Sequence, residues 1–85
     1  MDANKCVQAQ ISASPVDYVV LLHTNVPSRS TILGLVARYD FTLDDTVGLD
    51  LRIFSAVLTK SQANGVRCEP PVEIIEVNDS VHAFP

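Results

Sequence analysis

Hydrophobic and polar residues alternate strictly over residues 6–13, with Val7, Ala9, Ile11 and Ala13 on one face and Cys6, Gln8, Gln10 and Ser12 on the other. A period of two predicts a half-buried strand. Ser14-Pro15 ends it, because proline has no N–H for a ladder and restricts the residue before it. The run Tyr18-Val19-Val20-Leu21-Leu22 is apolar at every position, the pattern of a central strand. The short connection predicts a hairpin between the two.

Residues 31–41 fit two periods. As a strand they place Leu33, Leu35, Ala37, Tyr39 and Phe41 inward and Gly34, Arg38 and Asp40 outward. As a helix they gather Ile32, Leu35, Val36 and Tyr39 on one stripe, with Ser28 or Ser30 as the cap. The β-branched and aromatic content and the internal Gly34 favour the strand.

The next segment predicts one long helix, at about residues 43–63. Thr42 supplies a capping hydroxyl, and Asp44 and Asp45 sit where the helix dipole favours negative charge. Asn64-Gly65 provides a left-handed stop, and Lys60 has the sign preferred near a C-terminus. On that helix Leu43, Val47, Leu51, Phe54, Val57 and Leu58 fall within an arc of about 120°, the expected core stripe. Leu49, Ile53 and Ala56 form a second apolar cluster on the flank. Asp50 projects into the apolar arc, so it either turns toward solvent or finds a donor such as Arg38 or Arg67. Leu49, Asp50, Ile53 and Ala56 are therefore the expected partner-binding residues, since one helix in so short a chain rarely needs two apolar faces for one core. After Pro70-Pro71, residues 72–77 read as a last strand, and prolines at its entrance place it at an edge. The expected architecture is one α+β domain over residues 1–85, an antiparallel sheet of three or four strands packed by one long helix.

Composition narrows the function more than it names one. The 85 residues are 47% hydrophobic and 19% charged, which excludes a disordered or purely solvating chain. Ten acidic against six basic residues give a net charge of −4, which argues against direct nucleic-acid binding, where phosphates demand clustered Lys and Arg. No apolar run approaches the ~18 residues of a membrane span. With no visible secretory signal the expected compartment is the cytoplasm, and Cys6 and Cys68 are expected as small core residues. Asn78-Asp79-Ser80 has the form of a glycosylation acceptor and reads as incidental in that setting.

Candidate chemistry is sparse. Cys6, His23, Cys68 and His82 number four, but none are paired at metal-ligand spacing, and Cys6 with His23 has no spacing that argues for a catalytic pair. No nucleophile elbow, phosphate-binding loop or metalloprotease helix is present in the sequence. No metal, cofactor or catalytic residue is expected. The loop 23–30 is polar, and His23, Thr24, Asn25, Ser28, Arg29 and Ser30 are its candidates for a small ligand or a contact. Asp44 and Asp45 beside the expected helix start, with Glu73 and Glu76 in the tail beside Glu69 and Asp79, form an acidic surface. Such a surface suits a basic protein partner, a nucleic-acid-binding protein included. The leading expectation is a non-enzymatic protein-binding module of the inhibitor or adaptor type, with a homodimer as one form of association. The alternative is a small-ligand or enzyme-like domain using the loop 23–30 at a dimer seam.

Overall fold

The computed structural model describes residues 6–78. The chain forms a three-stranded antiparallel sheet with two helices, an α+β fold. Strand β1 (Val16–Leu22) lies in the centre, flanked by β2 (Ile53–Leu58) and β3 (Val72–Val77). Helix α1 (Ser28–Tyr39) and a 3₁₀ turn (Val47–Asp50) connect β1 to β2, and α2 (Lys60–Val66) connects β2 to β3. The apolar run at 18–22 is the central strand, and the strand with prolines at its entrance is an edge, both as the sequence predicts.

Alternate residues of each strand turn to the helices. Tyr18, Val20 and Leu22 meet Phe54, Ala56 and Leu58 from one side and Val72 and Ile75 from the other. Ile32 and Leu35 of α1 and Ala63 and Val66 of α2 close this layer, with the Phe41 and Phe54 rings stacked at 5.6 Å between centroids. Burial recurs after three positions in β3 because a bulge opposite Leu21 and Leu22 inserts Glu73.

Three predicted elements differ. Residues 31–41 belong to α1, not to a strand, and Ile32 and Leu35 of the alternative stripe are its buried residues. Ser28 does not cap the helix; Pro27 holds the cap position and Ser28 begins the first turn. The long helix over 43–63 does not exist. Its span divides into a bridge at Leu43, the 3₁₀ turn, β2 and the start of α2. Phe54, Ala56 and Leu58 satisfy a strand period within an apparently helical one, and β-branched and aromatic residues around them favour the pleated surface. Gly48 is needed where the 3₁₀ turn crosses β2, because a Cβ there would lie 2.0 Å from the Ile53 carbonyl oxygen. The left-handed residues are Asp40, which ends α1, and Arg52, which turns the chain into β2.

Helix α2, which begins near the end of the span expected to be one helix, has its own capping box. Thr59, not Thr42, accepts from the Gln62 N–H at 3.1 Å, while Gln62 Oε1 accepts from the Thr59 N–H at 2.9 Å. The Gln62 amide also donates to the Tyr39 carbonyl at 2.9 Å, tying the start of α2 to the end of α1. Lys60 is thus at the N-terminus of a helix, and Asn64-Gly65 lies inside it. Gly65 is there for clearance, because a Cβ would come within 2.4 Å of the Tyr39 ring.

Residues 6–13 form no strand, and no hairpin forms with β1. The predicted face is nevertheless used: Val7, Ala9 and Ile11 pack against the core while Gln8 and Gln10 point away from it. The Val7 N–H donates to the Arg67 carbonyl at 2.9 Å, and the Ser12 N–H donates to the Tyr18 hydroxyl at 2.9 Å. Cys6 and Cys68 are bonded in a disulfide, not two separate small core residues. It closes a loop across a sequence separation of 62 and pins this segment to the end of α2.

Two stability effects follow from these contacts. Reducing the disulfide, or the double change Cys6→Ser with Cys68→Ser, should cost about 2–4 kcal/mol, read as a lower denaturant midpoint. Thr59→Ala should cost about 0.5–2 kcal/mol, whereas Thr42→Ala should leave the midpoint nearly unchanged.

Candidate functional site

The helices and the N-terminal segment cover one face of the sheet. On the other face, strand alternation places Val19 and Leu21 of β1, Ile53, Ser55 and Val57 of β2, and Ile74 and Glu76 of β3. The register sets Ile53, Leu21 and Ile74 in one row across all three strands, and Ser55, Val19 and Glu76 in the next. Ile74 is 42% exposed and Val57 53%, and beyond the β2 edge Leu51 and Val47 are 63% and 77% exposed. Val19, Leu21 and Ile53 are half-buried, the 3₁₀ turn lies against Ile53, and neither helix packs over the row. The result is a contiguous apolar surface of the kind monomeric proteins rarely leave to water.

At one end of this face the carboxyl of Asp17 is partly buried beside Asp44 and Asn78. The Asn78 amide donates to Asp17 Oδ2 at 2.7 Å, and the Asn78 N–H donates to the Asp17 carbonyl at 2.8 Å. Asp17 Oδ1 is buried and accepts no hydrogen bond among the described residues. Burial first, and then the neighbouring Asp44 carboxyl, push the Asp17 carboxyl above its ordinary range; the Asn78 bond opposes them. Protonating Asp17 removes the charge that burial and the neighbouring carboxyl disfavour.

The expected partner-binding residues separate. Leu49 and Ala56 are buried core residues and cannot meet a partner directly. Ile53 does lie on the uncovered face, placed there by a strand and not by a helix flank. Asp50 pairs with Arg29, through Nε at 3.2 Å and Nη2 at 3.0 Å, not with Arg38 or Arg67. The expected core stripe is partly inverted as well, since Val47, Leu51 and Val57 are exposed while Phe54 and Leu58 are buried.

In the loop 23–30 the polar groups largely serve the fold. Ser28 Oγ donates to the Leu49 carbonyl and accepts from the Arg52 N–H at 2.7 Å, which anchors α1 to the turn before β2. Arg29 is taken by Asp50, and His23 Nδ1 lies 3.8 Å from Glu73, an ion pair when the imidazole is protonated. Thr24, Asn25 and Ser30 are exposed. Glu69 receives Arg38 Nη1 at 2.6 Å and the Tyr39 hydroxyl, and burial together with this carboxylate raises the Tyr39 pKa.

The acids do not gather at one helix start. Glu76 lies on the uncovered face, Asp44 adjoins Asp17, and Asp45 accepts from the Val47 N–H at 3.0 Å at its margin. Glu73 sits in the bulge beside His23. His82 and Asp79 lie outside the described residues. No group of three metal-ligating side chains forms among the described residues. No helix among them is long and apolar enough to cross a membrane. In comparison with known proteins, the chain matches no family model and no curated sequence.

What sequence reasoning missed is the role of Val19, Leu21 and Ile74. A signal was present: β1 is apolar on both faces, and one helical layer can cover only one of them.

Asp17→Asn tests the carboxyl pair. A folded-state pKa above the unfolded one means that the stability Asp17 contributes is full below the ordinary carboxylate range. It is lost as pH rises through the folded value. Asp17→Asn should therefore raise the melting temperature at pH 7. The gain should vanish as pH falls below the ordinary carboxylate range, where Asp17 is protonated in either state.

Proposed function

We propose that this chain is a non-enzymatic protein-binding module, of the inhibitor or adaptor type, that lays the uncovered face of its sheet against a protein partner. The row formed by Ile53, Leu21 and Ile74 carries the reading, because it is apolar, spans all three strands and faces away from both helices, with Ile74 42% exposed. Burying such a row is worth about 25 cal/mol per Å² of apolar surface removed from water.

Charge selects the occupant. Asp17, Asp44, Asp45 and Glu76 lie on or beside the face, while the ion pairs among the described residues involve Arg29, Arg38 and His23 elsewhere. The complementary surface is an apolar patch rimmed by basic side chains, on a protein that could itself be a nucleic-acid binder. The chain's own acidity keeps it from binding nucleic acid directly. The Cys6–Cys68 bond suits an oxidising compartment better than the cytoplasm that the sequence first suggests.

Benzoylphenylalanine placed at Ile74, and at Ala37 on the helix side as a control, tests the face by photocrosslinking in the native host. Position 74 should crosslink to another protein and position 37 should not. With that protein purified, Ile74→Glu should weaken binding at least ~10-fold, the loss expected at a buried interface position. Its melting temperature should shift by only a few degrees, since the side chain is partly exposed already. Crosslinks only between copies of the chain would assign the face to a homodimer instead. Unchanged binding by Ile74→Glu would remove the proposal.

A further inference from the structure

Where the 3₁₀ turn meets the uncovered face, a cleft of about 310 Å³ opens at the β2 edge. Val19 and Ile53 contribute from the sheet, and Val47, Gly48 and Leu51 from the turn. Asp45 is the one charged residue lining it among the described residues. We infer that this cleft receives an arginine side chain of the protein partner, the anchor of the interface; the inference rests on the docking face proposed above.

The two parts of the cleft match the two parts of that side chain. Val47 and Leu51 are the two most exposed large apolar residues described, and an aliphatic stem lying along them removes surface from water that the fold leaves wet. A guanidinium at the end of the stem meets Asp45, whose Oδ1 already accepts the Val47 N–H at 3.0 Å. That bond holds the carboxylate in place, and its second oxygen remains for a charge-assisted contact. A purely apolar anchor would leave this carboxylate facing a hydrophobic partner and lose its hydration for nothing. Lysine ends in a compact, strongly hydrated ammonium, so the more weakly hydrated guanidinium fits a cleft with apolar walls better. Gly48 keeps the cleft at this width, since a side chain there would drive the turn away from Ile53.

The probes are three short peptides, acetyl-Ala-Arg-Ala-amide and its citrulline and norleucine counterparts, titrated into the isotope-labelled full chain and followed by the amide signals of Gly48, Leu51 and Ser55. Saturable shifts are expected with the arginine peptide, with citrulline binding about 2–5-fold more weakly, as an exposed charge pair allows. Asp45→Asn keeps the acceptor for the Val47 N–H and should bring the two peptides to equal affinity. High salt should narrow the same gap. No saturable shift, or an arginine preference that survives Asp45→Asn, would overturn the anchor. Equal binding of norleucine and arginine, with Ile74→Glu still blocking the crosslinked partner, would overturn the anchor and leave the docking face standing.

Discussion

A three-stranded sheet has two faces, and the described chain has material to cover one. Two short helices and an N-terminal segment fill the layer over Tyr18, Val20, Phe54, Ala56 and Ile75. Layered domains normally bury the apolar side of a sheet against another element. Here the second side is largely apolar too, and neither helix lies over it; the 3₁₀ turn reaches it only at the β2 edge, beside Ile53. The acids on its border, the turn that flanks it and the exposed Val47 and Leu51 all take their meaning from this one shortage of cover.

Much of the helix-side layer is held by polar side chains that join elements, not by those within them. Gln62 serves as a capping partner for α2 and as a donor to the end of α1. Ser28 links the start of α1 to the turn before β2. Glu69 joins Arg38 and Tyr39 to the connection between α2 and β3. Such groups contribute about 0.5–1.5 kcal/mol each as net hydrogen bonds. Their larger effect is geometric. They fix the helices over one face and leave the other undisturbed.

The fold class and the central and edge strands were legible from two local patterns. A strand apolar at every position belongs in the middle of a sheet, and one entered through Pro70-Pro71 belongs at its edge. The interior of the chain was not legible in this way. Residues 43–63 carry Leu43, Val47, Leu51, Phe54 and Leu58 at helical intervals, and the same window holds Phe54, Ala56 and Leu58 at strand intervals. Pairing with β1 decides between them, and pairing is a non-local property. Residues 31–41 failed in the opposite direction, since Gly34 and the β-branched residues lowered a helix propensity that packing of Ile32 and Leu35 overrode. The disulfide was invisible for the same reason, with Cys6 and Cys68 brought together only by the finished layer. Ile53 was named as a surface residue on a helical argument that does not hold, and lies at the face for another reason.

The position of β1 has a consequence for how the molecule comes into being. It is the first of the described strands and the middle strand of the sheet, so both its neighbours emerge from the ribosome after it. The partner of Tyr18 on the β3 side is Val77, near the end of the described chain. Until that residue has left the exit tunnel, one edge of the most apolar strand has no mate. Long-range pairing of this kind slows folding, and a waiting apolar strand is open to misassociation. A chain cut short before β3 would carry β1 with that edge unpaired, an apolar strand offered to any other strand it meets.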